Sequence, residues 1–213
     1  MIPDLVIFDC DGVLVDTEPL TAPIIAASLS HYGLNIDAHE VDKLFTGGTM
    51  GGVMAEGRRR GATLPDDWLD EIYAAIFARL SHDVDVFDGV FDLLDALNTR
   101  DVPTYIASNG PMEKMRNSLG PSGLWDRFSG RILSREHHTP KPDPAMILYA
   151  LAQTGADPET SFMIDDSVSG CSAGLAAGVR TIGFATQGQD DTLTALGATV
   201  ANSMADVRRL ILP

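Results

Sequence analysis

Residues 5–18 constrain the fold more than any other stretch of the chain. Leu5–Phe8 is a short apolar run of β-branched and aromatic residues, which is typical of a strand buried on both faces of a sheet. Asp9 and Asp11 follow it at once, and Gly12 comes next. Because crowded carboxylates repel each other, this pair indicates a hard divalent cation such as Mg²⁺, which binds carboxylate, water and phosphate oxygens. Taken alone, the stretch also fits a strand that ends in an ordinary Asp-Gly turn.

The composition narrows the class of protein. The chain has 213 residues, of which 45% are hydrophobic, so it can build one large domain or a core with a smaller insert. Its formal net charge of −15 argues against a nucleic-acid-binding protein, which needs a basic face. No apolar run reaches the length of a membrane span, and the first strand begins too early to leave room for a signal peptide. Since Cys10 and Cys171 make no disulfide framework either, we expect a cytoplasmic monomer with no nucleic-acid or membrane partner.

Residues 17–83 follow a helical pattern throughout. A helix is predicted to begin at Glu18 and to end at Gly33, and residues 37–46 predict a second, short helix. Residues 46–52 are rich in glycine and predict a flexible loop or a joint between helices. Nothing between residues 17 and 83 resembles a strand of a parallel sheet, so we expect this segment, here named the helical insert, to be all-helical. From Pro65 onward an amphipathic helix is predicted by apolar side chains that recur every four residues, at Trp68, Ile72, Ile76 and Leu80.

After residue 84 the pattern alternates between strands and helices. Helices are predicted at residues 89–97, from Met112, at 143–154, at 169–177 and at 203–212. Together with residues 5–8, this alternation predicts an α/β fold, a doubly wound (Rossmann-like) parallel sheet core made of residues 1–16 and 84–213. The helical insert interrupts that core after its first strand and is expected to be a cap. The further strands are predicted at residues 103–107, 131–133, 161–164 and 181–184.

Polar side chains follow several of these predicted strands. In a parallel sheet the carboxyl ends of the strands lie on one edge, so these side chains can converge. The set contains a candidate nucleophile, an acid/base, a hydroxyl, an ammonium and a metal cradle, which are the groups that phosphoryl transfer requires. Taken singly, each has an ordinary explanation as a turn residue, a helix start or a surface lysine. The residues are Asp9, Asp11, Ser108, Asn109, Lys141, Asp165 and Asp166.

The order and spacing of these residues resemble the haloacid dehalogenase superfamily, and within it the phosphatase branch with a small helical cap after the first strand. A narrower likeness, to the bacterial 6-phosphogluconate phosphatase group and its β-phosphoglucomutase-like neighbours, rests on residues 108–111 with Lys114-Met115 and on residues 165–170. The resemblance implies a metal-dependent phosphatase for a small phosphorylated metabolite, such as a sugar phosphate or a phosphosugar acid. The four matching segments are residues 9–18, 108–109, 141–144 and 165–167.

The resemblance also implies a role for each catalytic side chain. Asp9 would attack the phosphorus and become an aspartyl-phosphate. Asp11 would protonate the leaving alkoxide and then take a proton from the attacking water. Lys141 would hold the nucleophile and neutralise the transferring group, and Ser108 would donate to a phosphoryl oxygen.

The same resemblance implies the metal ligands. Mg²⁺ would be held by Asp9, by the backbone carbonyl of Asp11 and by Asp166, while Asp165 would ligate directly or through water. Asn109 is expected to orient the phosphate-binding loop. The cap must open for substrate entry, so hinges are predicted near residues 15–18 and 82–88.

Three alternatives stay open beside the phosphatase. A β-phosphoglucomutase-type mutase resembles this chain but grips a second phosphate with a charged cap loop, and residues 46–50 carry neither lysine nor arginine. A signalling receiver domain would have its acidic pair and its phosphorylated Asp in the opposite order along the chain. A catalytically silent binding protein would be expected to lack Asp9, Asp11, Lys141 or Asp166, and all four are present. Arg58, Arg59 and Arg60 are predicted to be solvated rather than functional, unless one of them faces the cleft.

Overall fold

The computed structural model describes residues 2–45, 49–186 and 188–212, and its centre is a six-stranded sheet. The order of the strands is β5-β4-β1-β6-β7-β8, and every neighbouring pair is parallel. A two-stranded antiparallel sheet, formed by β2 and β3, stands beside it. The doubly wound parallel α/β prediction is therefore confirmed. The strands are β1 (Leu5–Phe8), β2 (Val15–Asp16), β3 (Asp85–Val86), β4 (Thr104–Ser108), β5 (Ile132–Ser134), β6 (Ser161–Asp165), β7 (Arg180–Phe184) and β8 (Thr199–Ala201).

Helices cover both faces of the six-stranded sheet, and the central strand shows why. Successive side chains of a strand point to opposite faces. Val6 and Phe8 pack with α5, α6 and α11, whereas Leu5 and Ile7 pack with α8 and α9. All four side chains are fully buried, as the uninterrupted apolar run predicts. The helices are α1 (Glu18–His31), α2 (Ala38–Phe45), α3 (Met50–Arg59), α4 (Trp68–Leu80), α5 (Val90–Asn98), α6 (Met112–Leu119), α7 (Leu124–Arg127), α8 (Ala145–Thr154), α9 (Val168–Ala176), α10 (Asp190–Leu196) and α11 (Met204–Ile211).

The helical insert contains α1 to α4 and has an apolar cluster of its own. The predicted stripe of α4 is buried in that cluster, and the indole Nε1 of Trp68 donates to Ser28 Oγ at 2.8 Å. The chain leaves the core through β2 and returns through β3, where Val15 pairs with Val86 and Asp16 with Asp85. This two-stranded sheet lies at the positions where the hinges are predicted. Within the described residues, no helix combines the length and the apolar character needed to cross a membrane.

Some local predictions differ from the structure. Of the glycine-rich segment 46–52, residues 46–48 lie outside the described residues, and Met50–Arg59 is a helix rather than a loop. Thr49 Oγ1 accepts from Gly52 N at 3.2 Å, and this cap satisfies a free N–H of the first turn and lets glycines begin a helix. The helix after Pro65 begins only at Trp68, and α8 begins two residues after Asp143. The short elements β2, β3, β8, α7 and α10 were not predicted, because two to seven residues carry too little periodicity.

Candidate active site

Lys141 is the centre of the site. It lies in the loop before α8, and its side chain is almost completely buried. Its Nζ is 2.8 Å from Asp9 Oδ1 and 2.7 Å from Asp165 Oδ2, and it donates to the carbonyl of Ala107 at 2.9 Å. Burial opposes the charge of the ammonium, but the carboxylates of Asp165 and Asp9 outweigh burial and raise the pKa of Lys141 above its usual value. The lysine is therefore a permanent cation that joins the ends of β1, β4 and β6.

Asn109 holds the backbone of Lys141. Its Nδ2 donates to the carbonyl of Lys141 at 2.9 Å, and its Oδ1 accepts from Lys141 N at 2.8 Å. This pair of hydrogen bonds joins the end of β4 to a residue 32 positions away in the chain. The predicted role of Asn109, to orient the phosphate-binding loop, stays a prediction, and its two contacts are with the backbone of Lys141.

Asp9 and Asp11 lie at the end of β1 and have different surroundings. The pKa of Asp9 is raised to about 7, because burial and the carboxylates of Asp165 and Asp11 together outweigh the lowering effect of Lys141. The two oxygens of Asp11 are both engaged, because Thr17 Oγ1 donates to Oδ1 at 2.8 Å and Lys114 Nζ lies 2.7 Å from Oδ2. Asp11 is thus aimed by two side chains, from the start of the helical insert and from α6, neither of which was predicted as a site residue.

Asp9, Asp165 and Asp166 form a carboxylate cluster whose oxygens lie within 4.8 Å of one another. Burial raises the pKa of Asp166 well above its usual value, and Asp165 and Asp9 raise it further. Gly12 leaves room for Asp166 because it has no Cβ, which would lie 2.5 Å from Asp166 Oδ2, and its φ of +79° also favours glycine. Three hard oxygen donors that repel one another fit a divalent cation such as Mg²⁺, which binds carboxylates and water.

Asp165 is tied to the protein at both of its oxygens. Oδ2 contacts Lys141, and Oδ1 accepts from Ser167 N at 2.9 Å and from Ser167 Oγ at 2.6 Å. The first turn of α9 passes so close that a Cβ on Gly170 would lie 1.7 Å from Asp165 Oδ2. Of the two ways in which Asp165 was expected to hold a metal, these contacts favour the one through water.

Ser108 ends β4 and faces the same space. Its side chain is buried, and its Oγ accepts from Gly110 N at 3.0 Å. Because the oxygen accepts from the backbone, its own proton stays available to a phosphoryl oxygen. Ser108 lines the cavity together with Asp9, Asp11, Asn109, Lys141 and Asp166, so six of the predicted side chains converge there, while Asp165 lies behind them against Lys141.

The cavity lies between the carboxyl edge of the sheet and the helical insert, and its volume is about 180 Å³. The core contributes mainly polar and charged side chains, whereas the insert contributes apolar side chains together with Glu18 and several hydroxyl groups. Arg135, in the loop after β5, and Tyr73 of α4 also line it, and neither was predicted. Of the unpredicted side chains at the site, Thr17 and Lys114 had a sequence signal, because Thr17 stands in the matching segment 9–18 and Lys114 in a segment of the narrower likeness. The apolar side chains from the insert are Ala22, Ile25, Val41, Met50, Val53 and Ile76.

Residues 58–60 do not belong to this cavity. Arg58 Nη2 donates to the carbonyls of Leu64 and Pro65, both at 3.0 Å, and Arg59 and Arg60 pair with Glu56. None of the three arginines lines the cavity. Their contacts agree with the prediction that this charge run is not a substrate contact.

Comparisons of the sequence and of the structure with known proteins indicate one family. A family model described as haloacid dehalogenase-like hydrolase matches residues 6–184. The 6-phosphogluconate phosphatase of Escherichia coli (strain K12) is 30% identical over 184 residues, which are 85% of this chain and 82% of that protein. A haloacid dehalogenase-like protein of unknown function from Agrobacterium tumefaciens superposes with a TM-score of 0.86 at 33% identity, over 98% of this chain and 97% of that one. A HAD family hydrolase from Deinococcus radiodurans R1, with bound phosphate and sodium, superposes with a TM-score of 0.82 at 32% identity, over 98% and 94%.

Proposed function

The chain belongs to the haloacid dehalogenase-like hydrolase family and is a phosphatase, and we propose that it is a Mg²⁺-dependent phosphomonoesterase for a small phosphorylated metabolite. A sugar phosphate or a phosphosugar acid such as 6-phosphogluconate is the proposed substrate, which the name of the Escherichia coli relative supports. We further propose that it works as a cytoplasmic monomer, with the helical insert as a cap.

The contact of Lys141 with Asp9 carries this proposal. A buried ammonium 2.8 Å from Asp9 Oδ1 fixes the carboxylate and leaves its other oxygen to face the cavity as the nucleophile. The same ammonium neutralises negative charge that develops on the transferring phosphoryl group. A Mg²⁺ held by Asp9, Asp166 and the carbonyl of Asp11 would add positive charge beside the phosphoryl oxygens.

The reaction then has two steps. Asp9 attacks the phosphorus and forms an aspartyl-phosphate while the bond from phosphorus to the ester oxygen breaks, and protonated Asp11 gives its proton to the departing alkoxide. Asp11 next takes a proton from a water molecule, which attacks the aspartyl-phosphate, releases inorganic phosphate and restores Asp9. Ser108 donates to a phosphoryl oxygen in both steps. Thr17 and Lys114 contact the two oxygens of Asp11 and fix the orientation of its carboxyl group for these proton transfers.

The test is release of inorganic phosphate from a panel of sugar phosphates and phosphosugar acids, with Mg²⁺ and then with a chelator. Asp9→Asn is compared with Asp92→Asn, which removes the same charge from an exposed position on α5. We expect metal-dependent release that Asp9→Asn abolishes and Asp92→Asn retains. Release that persists in Asp9→Asn or in chelator would contradict the proposed mechanism.

The mutase alternative has its own outcome in the same experiment. A β-phosphoglucomutase-type enzyme would release little phosphate and would interconvert hexose 1-phosphate and 6-phosphate when a bisphosphate is added. Thr49 and Met50 line the cavity from the end of the segment that would grip the second phosphate, and neither is charged. We therefore expect hydrolysis to exceed isomerisation.

A further inference from the structure

Arg135 is a cation of the cavity that catalysis, as proposed above, does not use. It follows Ser134 at the end of β5, and its guanidinium Nη2 donates to Tyr73 Oη of α4 at 2.8 Å. The hydrogen bond joins the core to the helical insert across 62 residues of chain. Both side chains line the cavity that also contains Asp9 and Lys141.

Among the described residues, Arg135 differs from the two lysines that line the cavity, because each lysine contacts a carboxylate. Lys141 contacts Asp9 and Asp165, and Lys114 contacts Asp11. Among the described residues, no carboxylate lies within 4.0 Å of the Arg135 guanidinium. A guanidinium has five N–H donors and matches a carboxylate or a phosphate with two parallel hydrogen bonds. Tyr73 accepts a hydrogen bond from only one of these N–H groups, so the other N–H groups of the guanidinium are left for an anion.

Tyr73 gives the arginine its position. The phenol oxygen accepts from the guanidinium, and the ring of Tyr73 lies 5.5 Å from that of Phe77 one turn further along α4. An arginine whose orientation is set in advance loses less rotamer freedom when it binds an anion. The two halves of this contact come from different parts of the molecule, so the arginine is in place when the insert lies on the core.

We propose that Arg135 binds a second anionic group of the substrate, and that the enzyme therefore selects phosphomonoesters that carry a carboxylate besides the transferred phosphoryl group. This inference rests on the proposed phosphatase function and adds the substrate class to it. The choice of a carboxylate follows from charge: the phosphoryl group is assigned to Lys141 and to the metal that the carboxylate cluster would hold, which leaves the Arg135 guanidinium for one further negative charge. A second phosphate shares the same chemistry and is a separate arm of the test.

The test compares two esters that differ at one group. These are 6-phosphogluconate and glucitol 6-phosphate, in which a hydroxymethyl group replaces the carboxylate, and fructose 1,6-bisphosphate against fructose 6-phosphate serves as the second-phosphate arm. Arg135→Gln is compared with wild type and with Arg116→Gln, an exposed arginine of α6 that stacks on Trp125 outside the cavity. Arg135→Lys keeps the positive charge but loses the paired N–H donors of the guanidinium. Tyr73→Phe removes the phenol oxygen that positions Arg135.

We expect Arg135→Gln to lower kcat/KM for 6-phosphogluconate by about 10- to 100-fold, mainly through KM, because a hydrogen-bonded charge pair is lost. The value for glucitol 6-phosphate should change by less than about threefold, as should both values in Arg116→Gln. Arg135→Lys should restore part of the loss, and Tyr73→Phe should show a smaller loss of the same selectivity. A larger loss on the bisphosphate than on 6-phosphogluconate would overturn the assignment to a carboxylate.

Equal losses on both esters of the first pair would also overturn the inference, because Arg135 would then act only on the placement of the insert. Binding measured by calorimetry in chelator gives a readout without turnover, since 6-phosphogluconate should bind more weakly to Arg135→Gln than to wild type and glucitol 6-phosphate should not. If wild type hydrolyses no ester, the proposed function fails, while the binding comparison still decides whether Arg135 reads an anion. If wild type and Arg135→Gln bound 6-phosphogluconate with equal affinity, the inference about Arg135 would be overturned.

Discussion

Asp16 and Asp85 occupy directly opposite positions in the antiparallel pair of β2 and β3, which joins the core to the helical insert. Burial raises the pKa of Asp16, and the carboxylate of Asp85 raises it further, while a hydrogen bond from the backbone of Glu18 opposes both. Among the described residues, Asp16 Oδ1 is buried without a hydrogen-bond partner. Like charges directly across a strand pair are destabilising, so this connection between the two parts is weakened electrostatically.

The first prediction follows from the sign of that shift. The pKa of Asp16 is higher in the folded protein than in the unfolded chain, where it is near 3.8. Ionisation of Asp16 therefore lowers the free energy of unfolding above the folded pKa, and it has no effect below the unfolded pKa. We expect Asp16→Asn to raise the free energy of unfolding by about 0.5–1 kcal/mol at pH 7. The gain should shrink as the pH falls towards 4.

Urea denaturation at pH 7 and at pH 4 measures this difference. Asp83→Asn is the matched control, since it removes an equal charge from an exposed position just before β3. A gain that is the same at both pH values, or one that Asp83→Asn reproduces, would mean that the Asp16–Asp85 pair is not its source.

The second prediction concerns Gly170. A Cβ there would lie 1.7 Å from Asp165 Oδ2, so Gly170→Ala must displace either the first turn of α9 or the carboxylate that contacts Lys141. We expect a loss of about 1–3 kcal/mol in stability and a fall in kcat of at least about tenfold. Gly51→Ala in α3 is the control, because its Cβ would meet only Thr49 Oγ1, at 3.8 Å. Chemical denaturation and phosphate release are the measurements, and wild-type values for Gly170→Ala would refute the crowding argument.

The third prediction separates positioning from substrate contact at Asn109. Asn109→Ala removes the two hydrogen bonds that hold the backbone of Lys141, and we expect kcat to fall by about 10- to 100-fold with little change in KM. Asn202→Ala removes a comparable amide contact, from Asn202 Nδ2 to the carbonyl of Ala185, at a distance from the cavity, and should leave kcat unchanged.

A double-variant comparison sharpens this prediction. If Asn109 acts through Lys141, the variant that combines Asn109→Ala with Lys141→Met should be no slower than Lys141→Met alone. Fully additive losses, or a rise in KM without a fall in kcat, would instead assign Asn109 a direct contact with the substrate.

The fourth prediction concerns the carboxylate cluster of Asp9, Asp165 and Asp166. Because burial and its neighbours disfavour the charge of Asp166, Asp166→Asn should raise the melting temperature in chelator by about 2–4 °C, which corresponds to about 1 kcal/mol. Mg²⁺ at ten times its Kd should stabilise wild type by about 1.4 kcal/mol and should have no effect on Asp166→Asn.

Thermal unfolding with Mg²⁺, with chelator and with potassium chloride at the same ionic strength makes this comparison. Asp92→Asn, an exposed substitution on α5, should respond to Mg²⁺ as wild type does. Stabilisation by Mg²⁺ that persists in Asp166→Asn would place the cation elsewhere.

The convergence at the sheet edge could be predicted because it depends on chain order alone. Asp9 and Asp166 directly follow a buried strand and Ser108 ends one, and parallel strands bring their carboxyl ends to one edge whatever the helices between them do. The apolar run Leu5–Phe8 likewise predicts a central strand, since only burial on both faces suits such a run. The matching segment 141–144 predicts that the loop carrying Lys141 lies at the same edge.

Chain order does not reveal three further side chains of the site, namely Lys114, Tyr73 and Arg135. Lys114 reaches Asp11 across 103 residues, and it lies inside α6 rather than at a strand end. Tyr73 stands beside the buried stripe of α4, where local periodicity predicts only a partly exposed position. Arg135 has no sequence signal at all, because a single arginine after a strand is ordinary.

The sequence by itself determined the α/β core, the place of the helical insert and the residues at the sheet edge, because these follow from local periodicity and from the order of the elements. Only the tertiary structure decided which partners those residues have. The contacts of Lys114 with Asp11, of Arg135 with Tyr73 and of Asp16 with Asp85 join segments that are distant in the chain. Their geometry depends on how the insert and the helices pack on the sheet, and packing is set by the sum of many side-chain contacts that no local pattern contains.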